Sequence, residues 1–125
     1  MITYELNEET GILETKIEGN IRIEDIINYI IDVRDNKMLP EKIKIFTEAS
    51  KGKLVEKVRK KELEKFLVEN KKTLNQKEFI YDAFVVSEPF ETALGLLYQD
   101  LIEMRNYKFK IFTTKKAAIA WLNQF

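Results

Sequence analysis

The chain has 125 residues, 45% of them apolar and 34% charged, with 21 basic side chains balancing 21 acidic ones. That is the composition of a globular protein long enough to bury one core, so one domain over residues 1–125 is expected. There is no cysteine and no histidine, which excludes disulfides, thiolate chemistry, Fe–S clusters, the usual zinc sites and the commonest general base. No cofactor or metal site is expected, although carboxylates alone still permit Mg²⁺ or Ca²⁺.

Ile2–Leu6 alternates apolar and polar residues as a half-buried strand does. Asn7–Gly11 reads as a turn, and Ile12–Ile17 as a second strand closing an antiparallel hairpin that ends at Gly19-Asn20. Apolar residues at 23, 26, 27, 30, 31 and 33 predict a first helix over Ile23–Val33; Glu24 and Asp25 suit its start, but no capping residue precedes it. Pro40 breaks the chain. Lys42–Thr47 is a third strand, and Glu48–Lys53 a polar loop. A basic helix follows, starting between Lys53 and Lys60 and turning Leu63, Phe66 and Leu67 to one side. Phe79–Val86 is dense enough in apolar residues to be a central strand covered on both faces. Ser87-Glu88-Pro89 opens a helix over Phe90–Met104. Lys108–Thr113 is the last strand, and Thr114 caps a last helix whose apolar face is Ala118, Trp121, Leu122 and Phe125.

The expected fold is therefore α/β: a five-stranded mixed sheet, with an antiparallel N-terminal hairpin, the other strands mostly parallel, and four helices. Met1–Gly19 lacks the basic start and apolar run of a signal peptide, and no stretch approaches the roughly 20 apolar residues of a membrane span. A cytoplasmic location is expected.

The element order and three local patterns resemble the SpoIIAA-like group. The patterns are Gly11-Ile-Leu13 with Ile17-Glu-Gly19, Leu39-Pro40 ahead of Ile43–Phe46, and Ile111–Phe112 running into Ala117–Leu122. The resemblance implies the fold shared by STAS domains and the CRAL-TRIO lipid-binding domain. It also implies a counterpart, at Ser50, of the serine that is phosphorylated in STAS anti-sigma-factor antagonists. Here Ala49 stands where that motif has aspartate, and the rest of the motif is missing.

Three candidate sites follow. In open α/β sheets ligands sit beyond the carboxyl ends of the parallel strands. Thr47, Ser50, Ser87, Thr113 and Thr114 are expected at that edge, where hydroxyls and helix N-termini, with Lys115 and Lys116, suit an anion. The alternative is that Ser87 and Thr114 are simply helix caps. An apolar pocket is the second candidate, lined by Phe84, Phe90, Ala93, Leu94, Gly95, Leu97, Tyr98 and Trp121, with ordinary core packing as its alternative. The third is a docking face made of Lys57, Lys60, Lys61 and Lys65. Charge is segregated: residues 1–36 hold nine acidic and three basic side chains, residues 51–77 ten basic and four acidic.

Glu8-Glu9 and Glu24-Asp25 are carboxylate neighbours on turns or helix starts, without the cleft that general acid/base work needs. There is no Gly-rich phosphate loop. A pI near 6.4 speaks against nucleic acid as a partner. The function expected is a non-catalytic binding or regulatory module recognising a protein partner. Alternatives are a carrier of a lipid or other small apolar ligand, or a phospho-regulated STAS-type antagonist. Opposed charges on the two chain regions also allow a homodimer.

Overall fold

The computed structural model describes every residue except Gln99, Asp100 and Ile102. Strands β1 (Ile2–Asn7) and β2 (Ile12–Ile21) pair antiparallel, with Ile2 opposite Ile17 and Leu6 opposite Leu13. Their turn is built by Asn7, whose side-chain oxygen accepts from the backbone N–H groups of Glu9 (3.0 Å) and Thr10 (3.3 Å). Gly11 closes it at φ +73°, a conformation that suits glycine. Both strands point one row, including Tyr4, Leu6, Leu13 and Ile17, to the same side of the sheet.

Helix α1 (Ile23–Asp35) buries Ile23, Ile26, Ile27, Ile30 and Val33. Its first N–H groups are satisfied in two ways. Asp25 reaches back to the Arg22 N–H at 2.9 Å, and Glu56 accepts from the Ile23 N–H at 2.6 Å. The capping carboxylate thus comes from 33 residues further along, where no local pattern announces it.

Strand β3 spans Lys42–Leu54, so the predicted polar loop Glu48–Lys53 is strand. β2 likewise continues past Gly19-Asn20 to Ile21 and pairs with this extension, Gly19 opposite Gly52 and Ile21 opposite Leu54. Between Lys16–Glu48 and Glu18–Lys51, β3 carries one residue more than β2, which makes Ala49-Ser50 a bulge opposite Ile17. The bulge leaves Ser50 and Lys51 consecutively exposed. A Cβ on Gly52 would lie 2.9 Å from Ile17 Cγ2, so the close approach requires glycine there.

Helix α2 (Lys60–Gln76) leads to β4 (Phe79–Val86), then α3 (Glu88–Tyr98), β5 (Tyr107–Phe112) and α4 (Lys115–Leu122). Of the predicted helix Phe90–Met104, the part up to Tyr98 lies in α3, and the rest of that span includes the three residues that are not described. Beyond α3, the Leu101 N–H donates to Tyr98 O at 2.9 Å and the Met104 N–H to Leu101 O at 3.0 Å. Thr114 caps α4 as expected, accepting from the Ala117 N–H at 3.2 Å.

The sheet order is β1-β2-β3-β4-β5, with every pair after the hairpin parallel. Strands added always in one direction, through crossovers of one hand, send their helices to one face. Accordingly α1, α2 and α3 share a core with Leu13, Ile43, Ile45, Ile80 and Phe84. Among the described residues only α4 covers the opposite face, packing Ala118 and Leu122 against Ile12, Phe46, Tyr81, Ala83 and Val85. Phe125 extends that cover by stacking on Tyr81 at 4.3 Å. Among the described residues no helix is long and apolar enough to cross a membrane.

Candidate functional site

The alternation of β4 sends Tyr81, Ala83 and Val85 toward α4, and Ile80, Asp82 and Phe84 toward the three-helix layer. Asp82 is thereby placed in an apolar core with 7% of its surface exposed. Its Oδ2 accepts a hydrogen bond from the Tyr107 hydroxyl at 2.9 Å. Its Oδ1 is buried and has no hydrogen-bond partner among the described residues. An orphaned carboxylate oxygen is costly in such surroundings.

Asp82 belongs to the wall of a chamber of about 50 Å³ between the sheet and α1–α3. Five aromatic rings line it: Tyr29 from α1, Phe84 from β4, Phe90 and Tyr98 from α3, and Tyr107 from β5. Tyr98 holds the set together, with ring centres 5.7 Å from Phe84 and 6.2 Å from Tyr107. Three of the other polar groups have partners elsewhere. The Tyr29 hydroxyl pairs with Thr15 at 2.7 Å, Thr73 donates to Glu69 O at 3.1 Å, and Asn70 donates to Phe66 O at 3.2 Å. Burial pushes the Asp82 carboxyl up to about 7, against the smaller opposing pull of the Tyr107 hydrogen bond. Burial also raises the phenols of Tyr29, Tyr98 and Tyr107, and the nearby Asp82 charge adds to the effect, so all three stay neutral.

The predicted pocket and this chamber overlap in part. Phe84, Phe90, Leu94 and Tyr98 line it. Leu97 is fully buried but outside the lining, Ala93 is half-buried, and Gly95 is exposed with nothing within 4 Å of a Cβ built there. Gly95 therefore neither permits close packing nor makes room for a ligand. Trp121 packs with Phe112 and Phe125 on the α4 side of the sheet. The reason is topological, since α4 crosses the face opposite to α3. Asp82 and Tyr29 were not foreseen as site residues, although a lone charge inside Phe79–Val86 was a visible signal.

The hydroxyl edge is partly assembled. Ala49 pairs with Val86, and Val85 with Phe112, so Ser50, Ser87 and Thr113 follow at the next positions of neighbouring strands. Thr47 is not among them: it is buried in mid-strand and faces the chamber, because β3 runs seven residues past it. Ser50 lies in the bulge, not in a strand-to-helix turn, and its hydroxyl donates to the Glu48 carboxylate. Thr114 is engaged as a cap. Lys115 bonds Glu14 at 3.0 Å and lies 5.4 Å from the Phe46 ring centre, while Lys116 is exposed. The Asn7 and Lys115 side chains hold the Glu14 carboxyl below its usual range.

That Glu14–Lys115 pair crosses an open trough of about 1000 Å³, where α4 leaves the β1–β2 part of its face uncovered. Glu5, Glu9 and Glu48 make the trough acidic. No group of three potential metal ligands occurs among the described residues. On the opposite side of the molecule's charge distribution, Lys57, Lys60, Lys61 and Lys65 are all exposed.

No family model matches the chain, and no curated protein matches it. A solved structure does: an uncharacterized protein of the DUF3478 family from Shewanella loihica PV-4, described as having a SpoIIAA-like fold. The two superpose with a TM-score of 0.59 over 98% of this chain and 92% of that one, at 14% sequence identity. Hairpin, parallel strands and helices thus form a SpoIIAA-like α/β fold.

Proposed function

We propose that this domain is a non-catalytic binding module that recognises an acidic segment of a protein partner through the basic surface at the start of α2. The supporting observation is the clustering of exposed cations in residues 51–77, which hold ten basic and four acidic side chains. Arg22, Arg34, Lys72 and Lys115 each lie within 4.0 Å of a carboxylate. Lys57, Lys60, Lys61 and Lys65 are exposed and form no ion pair among the described residues. Val55 and Val68, 43% and 51% exposed, add apolar contact on the same stretch of chain. Four unpaired ammonium groups beside apolar side chains favour an acidic partner, with an on-rate that falls as salt screens the field.

Replacing the four lysines by glutamate tests this. Wild type and variant are used as baits in extracts of the source cells, with circular dichroism confirming the fold. Acidic proteins retained by the wild type are expected to fall at least roughly tenfold on the variant, as close charge pairs turn repulsive. Equal capture by both baits removes this surface from consideration.

The phospho-switch reading draws less support. A phosphate on Ser50 would be set against the Glu48 carboxylate, which repels it. A lipid carrier needs a cavity of roughly 300 Å³ or more, well beyond the chamber around Asp82. What that chamber suits is smaller and more polar.

A further inference from the structure

We propose that the chamber around Asp82 is a binding site for a small alkylammonium cation. Three features of the geometry converge on that ligand class. The first is Asp82 in the chamber wall, whose buried Oδ1 has no hydrogen-bond partner among the described residues and can accept from a donor bound there. The second is the presence of five aromatic side chains in the wall, since an aromatic face attracts a cation, most strongly where water is excluded. The third is size. About 50 Å³ is less than the liquid volume of roughly two waters, which admits an ammonium group with a methyl but not a long chain. A neutral apolar guest would leave the carboxyl oxygen orphaned, and an anion would meet Asp82 itself.

The wall also offers a route in. Of the residues lining the chamber, Tyr29 on α1 and Asn70 on α2 are only half-buried, and the proposed entry lies between them. The remainder of the lining is buried.

Charge balance sets the proton stoichiometry. Below neutral pH the empty chamber holds Asp82 as the uncharged acid. An incoming R–NH₃⁺ donates an N–H to Oδ1 while the carboxyl O–H bond breaks and its proton leaves to solvent, so the occupied chamber stays neutral. The titratable groups facing Asp82 are Tyr29 from α1, Tyr98 from α3 and Tyr107 from β5, all neutral. From α2 the chamber is faced by Asn70, Thr73 and Leu74, which do not titrate. Asp82 is therefore the source of the proton.

Methylammonium chloride is the probe, with potassium chloride at equal ionic strength as control. Two heavy atoms limit its affinity to roughly the millimolar range, so NMR is the appropriate readout. Saturable shifts are expected at Asp82, Tyr98 and Tyr107 with methylammonium and not with potassium. Asp82→Asn, nearly isosteric, should weaken binding at least roughly tenfold through loss of a charge-assisted bond while keeping the parent spectrum elsewhere. Calorimetry of the wild type at pH 6 in two buffers of different ionisation heat should show a proton released per methylammonium bound. Non-saturating shifts, shifts equal to those in potassium chloride, affinity unchanged in Asp82→Asn, or binding without proton release would each overturn the assignment. None of these readouts involves the lysine surface.

Discussion

Asp82 is neutral below about pH 7 and charged above it, and the folded chain registers the difference. In the unfolded chain the same carboxyl titrates near 3.8. Between those values the folded state holds a proton that the unfolded state has released. The Asp82 contribution to stability is therefore full below about pH 4, falls as pH rises from about 4 to 7, and levels off above, by a few kcal/mol in order of magnitude. Asp82→Asn should flatten that slope and exceed the parent at pH 8 by roughly 1–3 kcal/mol, because no buried charge has to form. Urea midpoints at pH 5, 6 and 8 decide it; an identical slope in the variant rules out Asp82 as its source. Glycine gives a contrast at the same scale. Gly95→Ala, on an exposed helix position with open space around it, is expected to stabilise by roughly 0.5–1 kcal/mol. Gly52→Ala forces a Cβ into the Ile17 side chain and should cost roughly 1–3 kcal/mol. Thermal melts that rank the two variants the other way would refute the close packing at the bulge.

At the scale of elements, α1 and α2 are joined by the Arg34 guanidinium, which donates to the Glu69 carboxylate at 2.7 Å, both side chains being almost covered. Arg34, and secondarily Lys72, hold the Glu69 carboxyl below its usual range. Arg34→Ala should lower stability by about 2 kcal/mol near neutral pH. A depressed carboxyl contributes stability above its unfolded value and loses it as pH falls through the folded one, so the deficit should narrow below about pH 4. Chemical denaturation of parent and variant at pH 7 and pH 3 checks both the size and the narrowing. Elements also differ in how far the sequence exposes them. Hairpin and α1 were legible because one clear period runs through each, and β4 because its apolar run is nearly continuous. The second half of β3 was not: its bulge puts Ser50 and Lys51 on the surface in succession, which breaks the two-residue alternation and looks like a loop. The start of α1 was obscure for another reason, since its cap is the distant Glu56.

For the molecule as a whole, element order and strand direction followed from alternating strands and helices, but the faces did not. Nothing local to Trp121 says that its helix lies across the sheet from Phe90, so the predicted pocket mixed residues from two layers. The chamber itself depends on register, because Tyr29, Asp82, Tyr98 and Tyr107 come from four elements that meet only in the folded state. Asp82 was the one member that composition alone could have exposed.

The order of the strands has a further consequence. Because β1 to β5 lie side by side in the order in which they occur along the chain, each strand finds its template already laid down by the one before it. No strand has to be inserted between two earlier ones, and no loop to be closed is longer than one crossover. Parallel sheets are slow to assemble when distant segments must meet before any contact rewards them. Here assembly reduces to successive additions at one growing edge, a route that suits a chain emerging from its N-terminus.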